Sequence, residues 1–473
     1  MDGGSCAVAM TLEEPAKRTG SISPPRPSET QTAGPGMTVE LSRRRFLCST
    51  AAGAAWLLAC PDRSDGAHAL QPFHVGAGCA EITPPLEVGI LMSSGRQLWE
   101  PFDKVRLPLY ARAVVVERAG RRIALVALDL LGLAGEAVGG IERFKARVAA
   151  AAGCGIGAHE LVLASTHTHC GPESIALTDL YHTEAFKAWV GHLARQIGSA
   201  VRSASADQRS CQLMVGSHVA PGMALNRRIK TTRGIASVRR QLPPEVVIGP
   251  EGPIDDHVRV AAFLDQADRM VAILVNFAAH PVLEMCIKHV SPDYPGEMVL
   301  ELQRRHPDAA VLFLQGACGN INPPNMERSP ASARQYGQRL ADRVDQALGE
   351  LRPAGADGLR LCWKTIQLPL RTLAGEMAEQ PLDTKIGAAR IGNAAWVFLP
   401  GEPFVEIALA IRSASPWKPT TVVGYANDYI GYIPTDRAFE NGGYEVRPGR
   451  WSRVAAGSEG IVCRAAIELL RTL

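Results

Sequence analysis

Apolar positions along this chain fall into short runs that end in polar or glycine-rich turns. The runs at 107–116, 123–128, 161–164, 258–264, 271–277, 311–314 and 397–399 predict strands. Between them, apolar residues spaced three and four apart predict helices over 141–151, 184–204, 297–305, 332–351 and 402–412, with a last one near 460–470. Such alternation predicts an α/β or α+β fold, with one large mixed sheet and flanking helices. The region 70–473 contains no clear linker or internal repeat, so it reads as a single domain. Residues 241–253, rich in proline and glycine, are the best candidate break. They read instead as a long loop near the site, because a boundary there would separate residues that the chemistry below brings together.

The first 69 residues break the pattern. Residues 1–36 are rich in Pro, Ser, Thr and Gly and lack apolar periodicity, which marks a disordered extension or a misassigned start. Ser42-Arg43-Arg44-Arg45-Phe46-Leu47 then precedes an apolar stretch too short for a comfortable membrane span, and 37–69 read as a twin-arginine export signal. The expected destination is the periplasm or the exterior. Leu57-Leu58-Ala59-Cys60 resembles a lipobox that would anchor the protein at Cys60, whereas Ala67-His68-Ala69 offers a competing cleavage site that would release it.

Several strand-like runs end in donor groups. The run at 161–164 leads into Ser165-Thr166-His167-Thr168-His169-Cys170-Gly171-Pro172. Two histidines in an i, i+2 relation share one side of an extended segment, so one can bind a metal while the other stands beside the metal's water. The run at 271–279 ends in His280, the run at 394–401 ends in Glu402, and the run at 420–428 leads to Tyr429 and Tyr432. Each has an ordinary alternative: a core histidine, a neighbour of a helix N-cap, an aromatic filling a loop. Together they predict a His, His, Glu, Tyr set at one rim of a shared sheet, suited to zinc with room for water.

The motifs in order resemble those of the neutral ceramidase family, zinc-dependent amidases that cleave the N-acyl bond of ceramide. The resemblance starts at Gly76-Ala77-Gly78-Cys79-Ala80-Glu81-Ile82-Thr83-Pro84-Pro85. It continues through Thr166 to Pro172, Asn226-Arg227, Asn276-Phe277-Ala278-Ala279-His280, Asp293-Tyr294-Pro295-Gly296, Pro400-Gly401-Glu402 and Asn427-Asp428-Tyr429-Ile430-Gly431-Tyr432. It implies zinc held by His167, His280, Glu402 and Tyr432, with His169, Arg227 and Tyr444 around the reacting carbonyl. Tyr432 is chosen over Tyr429 because the family's second catalytic tyrosine lies twelve positions downstream, where Tyr444 stands. Water on zinc has its pKa lowered to about 7 and can attack an amide carbon. Zinc, the Tyr444 hydroxyl and His169 would meet the oxyanion, and His169 would protonate the leaving nitrogen. Arg227 keeps its proton and is suited to orienting substrate oxygens.

Two departures from the family qualify the picture. Gly319-Asn320-Ile321-Asn322-Pro323-Pro324 places asparagines where the family has an aspartate and a serine, which excludes a mechanism relying on that serine as nucleophile. The chain also reads as a short form without the family's immunoglobulin-like C-terminal domain, which weakens the case for ceramide more than the case for hydrolysis. The expected substrate is a small amphiphilic acyl amide, ceramide or a related acyl-amino lipid, met at a membrane surface. The alternatives are zinc hydrolysis of an ester, lactone or non-lipid amide, and a non-catalytic envelope binding protein on the same fold.

Composition adds exclusions. Fifty basic and 47 acidic residues give a formal charge of +3, no footprint for nucleic acid. Eight of the eleven cysteines lie in the mature region with no Cys-x-x-Cys pair, against a thiolate zinc site. Disulfides are open to them after export. A nucleophile reading of Cys170 is disfavoured, because a zinc hydrolase needs no thiol. Asp129, at a strand end, reads either as a carboxylate behind a ligand histidine or as a turn residue. Oligomeric state has no signature in the sequence.

Overall fold

The structure, a computed structural model, describes residues 72–92, 99–237, 242–325 and 327–473. The extension, the twin arginines, Cys60 and the alternative cleavage site lie outside the described residues.

The large sheet contains β1 (Phe73–Glu81), β2 (Tyr110–Arg118), β3 (Arg121–Leu128), β4 (Leu161–Ser165), β5 (Arg209–Val219), β6 (His257–Asp265), β7 (Met270–Phe277) and β8 (Ala310–Gln315). Their spatial order is β8-β7-β6-β5-β1-β2-β3-β4. The sheet is mixed: β3 with β4 and β7 with β8 are parallel, and the other neighbours are antiparallel. A smaller sheet follows, β9 (Leu359–Leu368), β10 (Leu382–Ile391), β11 (Ala394–Phe398) and β12 (Thr420–Val423), in sequential order.

Strand β4 shows why its run is apolar at every position. Leu161 and Leu163 face a core shared with Phe144 and Trp189, while Val162 and Ala164 face a second core shared with Trp396 and Phe398. Side chains alternate across a strand, so a strand covered on both faces has no polar side to show. The first core is roofed by the helices α1 (Ile141–Ala152), α2 (Glu184–Ala206), α3 (Asp293–Arg305) and α4 (Pro330–Leu348). The second lies between the two sheets. A third, under the outer face of the small sheet, is closed by α5 (Val405–Ala414) and α6 (Ser458–Thr472) through Ile407, Ile411, Val462 and Leu470. The layers are helix, sheet, sheet, helix. Among the described residues no helix is long and apolar enough to cross a membrane.

The expected mixture of helix with a large mixed sheet is present, and the apolar runs did not announce two strands of the large sheet, β1 and β5, or two of the smaller one, β9 and β10. In β1, Gly76 and Gly78 stand where α2 crosses: a Cβ on them would lie 2.0 Å from Ala204 O and 2.2 Å from Ala200 O. Glycine admits the helix backbone at the expense of the apolar pattern. Strands β5, β9 and β10 alternate with charged, half-exposed positions and so form no continuous run. The helix expected from Glu402 begins at Val405 instead. Glu402 and Pro403 pair in parallel with Tyr432 and Ile433.

Candidate functional site

The donors do converge, though from two sheets rather than from the rim of a single one. His167 follows β4 and His280 follows β7 in the large sheet, while Glu402 follows β11 and Tyr432 follows β12 in the small sheet. Strands β4 and β8 are opposite edges of the large sheet, yet Gln315 Nε2 at the end of β8 donates to the Thr166 carbonyl at 3.3 Å. The sheet therefore coils until its edges meet. Backbone bonds fix the loops there. Ser165 N donates to Tyr425 O at 3.0 Å, His280 N to Ile321 O at 3.0 Å, Arg227 N to Asn320 O at 2.8 Å and Glu402 N to Gly431 O at 2.9 Å. His167 itself adopts a left-handed φ of 70°, which turns its ring off the line of β4.

Three buried side chains then meet. His167 Nε2 lies 3.2 Å from His280 Nε2, and Glu402 Oε2 lies 3.4 Å from the former and 3.1 Å from the latter. Each imidazole donates Nδ1–H to a backbone carbonyl, His167 to Leu131 O at 2.5 Å and His280 to Cys318 O at 2.6 Å. In the neutral ring each Nε2 is then a bare lone pair. Two lone pairs and a carboxylate turned toward one another repel unless a cation joins them. Donors about 2.1 Å from a tetrahedral zinc stand about 3.4 Å apart, close to the three observed separations. The residues fit the metal that the sequence implied.

Burial opposes ionisation of Glu402, and positive charge on the side of His167 and His280 is what outweighs it and holds the carboxyl well below its usual range. The carboxylate also accepts from Tyr429 OH at 2.6 Å and from Tyr425 OH at 3.3 Å. Burial, with Arg227 nearby, pushes His280 down to about 4.

Around this triad lie the other expected residues. A cavity of about 50 Å³ is lined by His169, Arg227, Asn322, Tyr432 and Tyr444 together with the triad and several apolar side chains. His169 has neither ring nitrogen hydrogen-bonded among the described residues, and burial holds its pKa well below the ordinary value. Its ring centroid is 4.8 Å from that of His167. Tyr444 stacks on Trp451 at 5.6 Å. Tyr432 OH accepts from Arg227 NH2 at 2.9 Å, so of the two candidate tyrosines it is Tyr429 that hydrogen-bonds Glu402. Asn322 Oδ1 accepts from Arg227 NH1 at 3.4 Å, whereas Asn320 is structural, with Oδ1 accepting from Val405 N and Nδ2 donating to Glu406.

Sequence reasoning missed Glu445. Its carboxylate accepts from Arg227 Nε at 2.8 Å and from Arg228 NH1 at 2.7 Å, and Arg228 is further held by Glu251. Position next to Tyr444 was the one signal available. Asp129 stands behind no histidine: it accepts from Arg112 NH1 at 2.6 Å and Tyr110 N at 3.0 Å, while a carbonyl orients His167. Cys170 donates its thiol to Glu284 O at 2.8 Å, and burial raises its pKa well above the usual range, which leaves it protonated and inert. Among the described residues no two of the eight cysteines are joined in a disulfide. The loop at 241–253 does reach the neighbourhood, through Glu251 on Arg228 and Pro253 O on Asn226.

No protein-family model matches the chain. It is 25% identical to the neutral ceramidase of Pseudomonas aeruginosa over 442 residues, a match that spans 81% of this chain and 62% of that protein. The chain thus spans less than two thirds of the curated relative's length. The crystal structure of the P. aeruginosa neutral ceramidase superposes with a TM-score of 0.66 at 19% identity, covering 85% of this chain and 75% of that one. A structure of ceramidase complexed with C2 superposes with the same score, identity and coverage. The likeness extends from the motifs to the layers: in sequence the chain is similar to a neutral ceramidase, and it shares the fold of the neutral ceramidase structures.

Proposed function

We propose that this chain is an exported, zinc-dependent hydrolase that cleaves an N-acyl amide, in ceramide or a related acyl-amino lipid. The carrying observation is the triangle of His167, His280 and Glu402, whose lone pairs face one another at 3.1 to 3.4 Å with both Nδ1–H groups already engaged. Tyr432 would complete the set. A zinc ion held there supplies Lewis acidity and brings the pKa of water on it to about 7.

The chain's own groups then divide the work. His169, kept neutral by burial and with both ring nitrogens free of protein partners, accepts the proton of the attacking water and returns it to the leaving nitrogen. Arg227 is fixed by Glu445 and Tyr432, stays charged, and orients a substrate oxygen. Tyr444 lines the same cavity, and its hydroxyl suits the oxyanion. Apolar side chains at Leu91, Leu177, Val282 and Met285 exclude water and suit an acyl chain. Residues 37–69 supply the export signal in this reading, and 70–473 the hydrolase domain. Asn322 beside Arg227, where the family has a serine, favours a second reading: the same chemistry on an ester, lactone or non-lipid amide.

Elemental analysis of the purified chain beside His167→Ala tests the centre. About one zinc per chain, lost in the variant, is expected; folded protein that refuses added zinc would refute the metal reading. A panel of amides and esters, with and without chelator, then identifies the bond. Tyr444→Phe is expected to keep its zinc and lose on the order of tenfold to a hundredfold in kcat. Full metal occupancy with no turnover of any substrate would point to a binding protein.

A further inference from the structure

A second cavity of about 370 Å³ adjoins the centre and shares Ile175 and Tyr429 with it as a common wall. Its charged lining is Arg371, Arg450 and Arg453 on one side of the ledger and Glu136 and Asp428 on the other. The acids are satisfied by neutral donors. Asp428 Oδ1 accepts from Gly135 N at 2.9 Å and Tyr429 N at 2.8 Å, and Glu136 accepts from Tyr181 OH at 2.6 Å. The arginines are not neutralised. Among the described residues Arg371 donates only to the carbonyls of Val446, Ser452 and Val454 and to Ser452 Oγ, and Arg450 donates to Ala176 O at 3.3 Å and to the Tyr181 hydroxyl, neutral partners all. Arg453 is half-buried and makes no side-chain hydrogen bond or ion pair among the described residues. Elsewhere the chain pairs its buried arginines, as Arg112 with Asp129 and Arg227 with Glu445. Unpaired guanidinium groups in a concavity concentrate positive potential and select for a phosphate or carboxylate, whose oxygens match their planar donors.

We propose, resting on the amide-hydrolase reading, that this cavity receives an anionic group carried on the amine part of the substrate. The apolar lining of the first cavity takes the acyl chain, which leaves the amine portion to pass the wall of Ile175 and Tyr429. Because that wall intervenes, the anion lies several bonds from the amide. The terminal phosphate of an N-acyl amino alcohol and the terminal carboxylate of an N-acyl ω-amino acid both have this form.

The test uses the full chain, zinc-loaded, and three amides with the same acyl chain and amine skeleton, ending in hydroxyl, phosphate or carboxylate. At low salt kcat/KM for at least one anionic amide is expected to exceed the neutral one by about tenfold, mainly through KM. An Arg450→Ala/Arg453→Ala double variant and the milder Arg453→Gln are expected to bring the ratio toward one. Added sodium chloride lowers the wild-type ratio in the same direction. The phosphate and carboxylate arms identify which anion is preferred. A wild-type ratio at or below one for both anions, or a ratio that the double variant leaves in place, would overturn the proposal. Should none of the three be cleaved, the hydrolase reading fails separately, and equilibrium binding of the same three amphiphiles to wild type and double variant decides the cavity by the same ratios.

Discussion

At the scale of single residues, the candidate centre depends on groups outside the triangle of His167, His280 and Glu402. Glu445 fixes the direction of Arg227 by taking its Nε, so that NH2 is left for Tyr432. Glu445→Gln leaves Arg227 buried without its carboxylate and Arg228 with Glu251 alone, which costs on the order of 3–5 kcal/mol of stability. Zinc content is expected to hold while kcat/KM falls. Glu445→Asp, which keeps the charge but withdraws it by one methylene, is expected to recover stability more than rate. Equal recovery of both would make Glu445 merely structural. None of this could be read from sequence, because Arg227 and Glu445 are 218 positions apart and share no pattern. His167, His280 and Glu402 were legible for the opposite reason: each ends a run whose apolar character is dictated by burial on both faces, so the polar residue stands out.

Among the elements, α1 carries the most unusual burial. Lys145 is buried on the helix face that meets the sheets, with its Nζ 4.5 Å above the Trp363 ring. Burial pushes its pKa from 10.5 down to about 8, with Glu142 resisting. Between those values the unfolded chain holds more of the proton than the folded one, so this group makes stability rise with pH across that window; below it the buried charge destabilises in full. Lys145→Met is expected to raise stability at pH 7 by on the order of 2 kcal/mol, less what the ring contact contributes. Thermal melts from pH 7 to 10.5 check this: the variant should lose that rise, and an unchanged slope would sink the assignment. Element type was legible wherever periodicity was clean, as in α2 and β7. It was hidden where close approach required glycine, as in β1, or where one face stayed half-exposed, as in β9.

For the whole molecule, the unexpected feature is that the proposed ligands come from both sheets. The sequence implied the set of donors but not their origin, since the coiling that brings β4 beside β8 is a property of the whole sheet. A metal that joins the sheets adds to folding stability by mass action, about 4 kcal/mol at a thousandfold excess over Kd. Chelation is expected to lower Tm by several degrees, with recovery on added zinc; coincident melts with and without chelator would contradict it.

His167, His280, Glu402 and Tyr432 are also far apart in chain order, and this has a bearing on time as well as energy. Contacts of such separation form late, after the loops between them have closed. A nascent chain cannot offer the complete ligand set until residue 432 has been made and both sheets have docked, so high-affinity metal uptake would report completed folding. Partially folded species would be left with lone histidines and only weak affinity.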